Sequence, residues 1–208
     1  MARTKSSNQW LQRHVKDPFV RKARADGYRS RAAYKLIEIN TRERILVPGA
    51  RVVDLGAAPG GWAQVAAQKV APGGRVIAVD LLEIAPMSGV TVLSGDCREP
   101  GMLSQLAAEL GGHKADVVLS DMSPNISGIA SADQARAAEL VQMSIDFCRR
   151  QLKVDGVFLV KVFQGGEFAG LLKELKGMFR QVRTLKPAAS REESRETYLL
   201  ARGLKGLQ

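Results

Sequence analysis

From Arg51 onward, short β-branched runs alternate with longer stretches of helical period, the pattern of βαβ units on a mostly parallel sheet. The runs place strands at Arg51–Leu55, Arg75–Asp80, Thr91–Ser94, Asp116–Asp121, Gly156–Val162, Gln181–Leu185 and Glu196–Ala201. Helices are expected between them at Trp62–Val70, Met102–Leu110, Ala132–Leu152 and Glu167–Phe179. Turn residues agree: Pro72-Gly73-Gly74 stops the first helix and Asp155-Gly156 the long one. A long polar stretch without helical period joins the last two strands, which are therefore expected to pair antiparallel at the sheet edge. Ahead of the sheet, a basic segment reads as one or two helices, including Arg31–Asn40, laid on the core. No internal repeat, linker or low-complexity tract breaks the pattern. The expectation is a single domain over 1–208, with a basic helical segment at 1–45 and an α/β core at 46–208.

A chain of 208 residues suits one such domain with a real core. Apolar content of 45% and charged content of 25% are ordinary globular values. No apolar run is long enough to span a bilayer, and Met1 to Gln9 is polar and basic, without the apolar region of a secretory signal. Cys97 and Cys148 lie far apart, which argues against a zinc site or disulfide framework and fits a reducing cytoplasm. No metal site is expected.

Charge changes the picture. A formal net charge of +10 favours a polyanionic partner, either nucleic acid or an anionic membrane surface. Arg3, Lys5, Arg13, Lys16, Arg21, Lys22, Arg24, Arg29 and Arg31 crowd the start of the chain, opposed by Asp17 and Asp26. A membrane-surface helix needs a broad apolar face. Trp10, Leu11, Val15, Phe19 and Val20 make a thin one, enough to dock the segment onto its own domain. A nucleic acid is the expected partner, and no membrane.

The loop Asp54-Leu55-Gly56-Ala57-Ala58-Pro59-Gly60-Gly61-Trp62 leaves a buried strand and opens a helix, the place where doubly wound sheets bind ligands. Gly56 permits the sharp strand exit, and Gly60 and Gly61 allow close backbone approach. A Walker A loop needs Lys-Ser or Lys-Thr after its glycines, and none follows here. A dinucleotide loop needs G-x-G-x-x-G, but Ala58 and Pro59 would crowd a pyrophosphate and remove an amide donor. S-adenosylmethionine carries no phosphate and tolerates that crowding. Asp80 ends the next strand, 24 positions after Gly56, where an acidic side chain grips ribose hydroxyls. Asp96, just past the third strand, is placed to accept from an adenine amino group. Each alone is more often a strand-end cap or turn residue; at successive strand ends beside a glycine loop they read as one site.

Asp121 ends the fourth strand, and Lys161 sits inside the apolar Phe158-Leu159-Val160-Lys161-Val162-Phe163. A lysine there is costly unless it faces a cleft or a carboxylate. A purely structural Lys–Asp pair between neighbouring strands is the bland account. Lys35 and Glu196 are unremarkable in isolation.

Together, Arg29 to Leu36, the loop Asp54 to Trp62, Ser120 to Gly128, Val160 to Gly165 and Ser190 to Tyr198 resemble the FtsJ/RrmJ family of bacterial large-subunit ribosomal RNA ribose 2′-O-methyltransferases. The resemblance runs in order over nearly the whole chain. It implies a Rossmann-like S-adenosylmethionine-dependent methyltransferase fold, with a seven-stranded, mostly parallel sheet and helices on both faces. It also implies a catalytic tetrad at Lys35, Asp121, Lys161 and Glu196, and S-adenosylmethionine contacts at Gly60, Trp62, Asp80, Asp96 and Asp121, beside Gly56 of the loop. The implied substrate is a uridine of 23S rRNA in the assembled or assembling large ribosomal subunit, and a monomeric, cytoplasmic enzyme is expected.

The chemistry accounts for these residue types. A ribose hydroxyl is a poor nucleophile at neutral pH, so a group must take its proton and hold it in line with the methyl. Alignment supplies roughly 7–11 kcal/mol, and a positioned base about 10²–10⁴-fold. Lys161 is the base candidate, since burial, Lys35 and a cationic sulfonium all favour the neutral amine; a close Asp121 opposes them. Asp121 and Glu196 would orient the amines and the hydroxyl. Rival acceptors fit less well. Cytosine C5 transfer needs a nucleophilic cysteine, typically after proline, whereas Cys97 precedes Arg98 and Glu99; transfer to base amino groups typically uses an Asp/Asn-Pro-Pro-aromatic loop, unlike Ser123-Pro124-Asn125. A non-catalytic RNA-binding assembly factor and a nicotinamide dehydrogenase are the readings from other classes.

Overall fold

The computed structural model describes residues 17–125, 127–191 and 194–206. Of the basic and apolar residues that mark the start of the chain, Arg3, Lys5, Trp10, Leu11, Arg13, Val15 and Lys16 lie outside the described residues.

In chain order the elements are α1 (Pro18–Ala25), α2 (Ala33–Glu43), β1 (Arg51–Leu55), α3 (Gly61–Val70), β2 (Arg75–Asp80), β3 (Val90–Ser94), α4 (Pro100–Glu109), β4 (Ala115–Ser120), α5 (Ala130–Gln151), β5 (Leu152–Phe163), α6 (Phe168–Met178), β6 (Phe179–Leu185) and β7 (Glu196–Leu204). One seven-stranded sheet runs β3-β2-β1-β4-β5-β7-β6. Strands β1 to β5 are parallel where they pair, and β7 is antiparallel to both β5 and β6. The chain reverses strand order at β1, so β1 and β4 diverge at their carboxyl ends and open a crevice.

Helices cover both faces, which is why the central strands read as continuous apolar runs. On one face Val52, Val76, Ala78, Leu119, Leu159, Tyr198 and Leu200 pack under Leu36 and Ile39 of α2 and Ala63 and Ala66 of α3. On the other, Val53, Leu55, Val118, Phe158, Val160 and Leu199 pack under α4, α5 and α6 through Leu106, Ile145 and Leu175. Helix α1 is short. Its N-cap Asp17 accepts from the Phe19 amide at 3.0 Å, Pro18 opens it, and Val20 and Ala23 are its buried side.

One expectation is overturned. Asp155-Gly156 does not stop the long helix. Helix α5 ends at Gln151 and the chain passes straight into β5, where Asp155 (φ 63°) and Gly156 form an irregularity. The register there jumps from Ala115 opposite Leu152 to Val117 opposite Val157. The last two strands pair antiparallel at the sheet edge, as expected, with β6 outermost and β7 between β5 and β6. After β6 the segment Lys186–Ser190 folds back toward the helices: the Ala188 amide donates to Glu38 at 2.8 Å, and Ala189 packs against Ala23 and Tyr34.

Candidate active site

Every parallel strand exits on the same side of the sheet, so their first loop residues surround the crevice. Gly56 leaves β1 with φ 68°, and its amide and that of Ala57 donate to the Val79 carbonyl at 2.9 and 3.2 Å. A Cβ on Gly56 would sit 2.0 Å from Cγ of Met122, so glycine is required where the β1 and β4 exits meet. Asp80, at the end of β2, ties the loop down: its carboxylate accepts from the Ala58 and Leu82 amides, each at 2.8 Å. Gly56, Asp80, Asp96 and Asp121 line one cleft of about 570 Å³, with Met122, Leu81 and Leu82 at its sides.

Gly60 and Trp62 lie behind that wall. A Cβ on Gly60 would meet Cε of Met87 at 2.3 Å, and one on Gly61 would meet Oγ of Ser30 at 2.2 Å, so tight packing of the chain on itself accounts for both glycines. The Trp62 ring is buried, donates from Nε1 to the Ala32 carbonyl at 2.8 Å and tilts against Tyr198 at 5.7 Å. Any contact of Gly60 or Trp62 with a ligand runs through the loop backbone. Arg29 and Arg31 are structural as well. Arg29 binds the carbonyls of Pro59, Ala85 and Pro86 (3.3, 2.5 and 2.8 Å), and Arg31 pairs with Asp17 and the Ala189 carbonyl. Arg21, Lys22 and Arg24 on α1 remain exposed.

The lining of the cleft is mainly acidic, with Arg98 beside the carboxylates. Asp80, Asp96, Asp121 and Glu139 line it, and Asp54 is buried just behind the glycine loop. One oxygen of Asp54 has no hydrogen-bond partner. Burial, then the nearby Asp121 and Asp80, push its carboxyl well above the usual range, against a bond from the Ala63 amide. Arg98 is folded onto Asp96, which it holds below the ordinary carboxylate range. A pyrophosphate would be repelled from such a lining; a ligand bearing a sulfonium and an ammonium fits it.

Strand register assembles the chemical end. Ser120 on β4 pairs with Val160 on β5, so Asp121 follows beside Lys161; across β5, Lys161 pairs with Tyr198 and Phe163 with Glu196. Alternation puts Lys161, Tyr198 and Glu196 on the face covered by α2, which lowers Lys35 onto them. The Lys161 ammonium donates to the Asp121 carbonyl at 2.5 Å and lies 3.2 Å from its Oδ1. The Tyr198 hydroxyl donates to the same Oδ1 at 2.7 Å, and Lys35 approaches it at 4.0 Å. Lys35 makes its closer pair with Glu196 at 2.7 Å, and Ser190 donates to that same Glu196 oxygen at 2.8 Å. Burial alone would raise the Glu196 carboxyl, but Lys35, Lys161 and Ser190 outweigh it and hold the group below its usual value. Tyr198 is pushed well up by burial and by Asp121 and Glu196, so it is a donor.

All four residues of the implied tetrad therefore meet around Asp121, which also lines the carboxylate-rich cleft. Asp54, Ser190 and Tyr198 escaped the sequence reading. Tyr198 and Glu196 are two apart in one strand, and that alternation is the signal that marks Tyr198 as a neighbour. Nothing in the sequence marks Ser190, which reaches Glu196 only through the folded connection.

This sheet order and cleft define a Rossmann-like S-adenosylmethionine-dependent methyltransferase. Comparison with known proteins agrees. Residues 28–204 match the FtsJ-like methyltransferase family model. The chain is 52% identical over 200 residues to the ribosomal RNA large subunit methyltransferase E of Azoarcus sp., covering 96% of this chain and 98% of that one. It is 48% identical over 206 residues to the protein of that name from Pseudomonas aeruginosa, covering 99% and 100%. A crystal structure of a Plasmodium falciparum ribosomal RNA methyltransferase superposes with a TM-score of 0.77 at 30% identity, over 86% of this chain and 100% of that one. Fibrillarin from Aeropyrum pernix, solved with natively bound S-adenosylmethionine, shares the fold (TM-score 0.57, 20% identity, 84% and 75% covered). The chain belongs to the FtsJ-like methyltransferase family, and S-adenosylmethionine is its cofactor.

Proposed function

We infer that this enzyme methylates the ribose 2′-hydroxyl of a uridine in 23S rRNA, within the assembled or assembling large ribosomal subunit. The observation that carries the reading is the buried Lys35–Glu196 and Lys161–Asp121 pairing at the edge of a cleft built for a cationic ligand. Full-length similarity to large-subunit rRNA methyltransferases supports the RNA class.

Asp80 would hold the ribose of the cofactor, Asp96 its adenine amino group, and Asp121 and the loop backbone around Gly60 and Trp62 the methionyl part. When bound, S-adenosylmethionine supplies an electrophilic methyl group. The chain's own side chains handle the acceptor. Lys161 takes the hydroxyl proton, Asp121 aims Lys161 through its backbone carbonyl and carboxylate, and Glu196 holds Lys35 beside the incoming ribose. The enzyme acts as a monomer in the cytoplasm. Among the described residues no helix is long and apolar enough to cross a membrane.

The test is ribose-methylation mapping across rRNA from a deletion strain. One 2′-O-methyluridine of 23S rRNA should vanish and return with the wild-type gene but not with Lys161→Met. Loss of a base methyl instead, or no loss, would overturn the reading.

A further inference from the structure

At the end of β3, the segment Gly95-Asp96-Cys97-Arg98 divides two hollows. One is the cofactor cleft. The other is an open groove of about 420 Å³ between α4 and α5, with Leu103, Met143 and Phe147 as its apolar wall and Gln142, Asp146 and Arg150 at its rim. Its size falls in the roughly 300–1,000 Å³ range of small-molecule sites. Cys97, Arg98, Glu139 and Met143 line both hollows, so the partition is one side chain thick. Cys97 is buried and Met143 half-buried, whereas the Arg98 side chain is 71% exposed. Arg98 is folded back on its neighbour: its Nε lies 2.9 Å from both oxygens of Asp96, its Nη2 adds a further contact, and its amide reaches Oδ1 at 2.9 Å. The guanidinium thus covers the carboxylate at the partition between the cleft and the groove.

We propose that Arg98 sets the size of group the cofactor's adenine amino nitrogen can carry, and that the groove behind it receives an aromatic substituent once the guanidinium is removed. The proposal rests on Asp96 being the acceptor for that amino group. A singly substituted amino nitrogen keeps one N–H for Asp96 and directs its substituent past the carboxylate, where Arg98 stands. Beyond Arg98 the ring would meet Leu103, Phe147 and the Met143 sulfur, partners that favour an aromatic group. A guanidinium in that path takes the space the ring would need, and it does not give up its two-oxygen grip on Asp96 without loss.

The probes are S-adenosylhomocysteine and its N6-benzyl derivative, with affinities measured by calorimetry on the full chain. Wild type should bind the benzyl compound far more weakly than the parent. In Arg98→Ala the ratio of the two dissociation constants should fall by at least about tenfold. Adding Leu103→Trp, which fills the groove, should restore the wild-type ratio. A wild-type ratio near one, an unmoved ratio in Arg98→Ala, or no restoration by Leu103→Trp overturns the proposal. Asp96→Ala separates the two layers. Unaltered parent affinity there overturns the adenine assignment and the proposal with it. A loss there, with an unmoved ratio in Arg98→Ala, overturns the Arg98 role alone.

Discussion

Replacing Lys161 tests the acceptor chemistry most directly. Its side chain is 5% exposed, and its ammonium is fixed by the Asp121 carbonyl at 2.5 Å and carboxylate at 3.2 Å. Lys161→Met keeps the length and removes the amine, so the variant loses whatever proton transfer and charge the amine supplies. A positioned base contributes about 10²–10⁴-fold, and at about 1.4 kcal/mol per tenfold this is roughly 2.7–5.5 kcal/mol of barrier. Truncating one partner of a buried ion pair also destabilises, by about 3–5 kcal/mol when the other charge is stranded. Here Asp121 retains the Tyr198 hydroxyl and Lys35, and its side chain is 17% exposed, so the loss falls below that range. Lys161→Arg separates the two roles of the amine. Arginine stays protonated and cannot accept a proton, but it can still stabilise a developing alkoxide. The assay is the single-turnover rate against pH at saturating RNA and cofactor for wild type and both variants, with a thermal melt for each. With Lys161 as base, both variants lose at least about a hundredfold while binding cofactor. A folded arginine variant within about tenfold of wild type refutes the base role.

Two further expectations follow from the charge map. Asp54 holds its proton to a higher pH folded than unfolded, so its contribution to stability falls as pH rises from about 4 through the folded value. Asp54→Asn imitates the neutral acid and should gain on wild type by up to about 1.4 kcal/mol per pH unit across that window, read from melts at several pH values; a pH-independent difference would sink the assignment. The exposed Arg21 and Arg24 of α1, with the basic residues ahead of them, should supply phosphate contacts, each adding roughly −0.7 to −0.9 to the slope of log affinity against log salt. Arg21→Ala/Arg24→Ala should flatten that slope without altering S-adenosylhomocysteine affinity, and an unchanged slope would return these residues to a merely solvated surface.

Much of this protein was legible in the order of its residues, because periodicity and turn chemistry are local. The four core helices appear with every end within two residues of the expected positions. The glycine loop, Asp80 and Asp96 stand at successive strand ends, and strand ends of a parallel sheet share one side, so topology alone gathers them. Local signals misled where a neighbour in space decided. Asp155-Gly156 has turn chemistry, yet pairing of Leu152 with Ala115 draws those residues into β5. At Gly60 and Gly61 the composition of the loop does not show that Arg29, Met87 and Ser30 also occupy the space a Cβ would need. The tetrad shows the division most clearly. Its four residues are spread from position 35 to position 196, and no spacing rule links them. Their meeting depends on β7 entering between β5 and β6, which places Tyr198 and Glu196 against Lys161, and on α2 packing over that face to deliver Lys35. Pattern along the chain determined which elements form and which strand ends border the cleft. Long-range strand order and helix packing decided which charges become partners, because ion pairs and hydrogen bonds act over a few ångströms of space and take no account of distance along the chain.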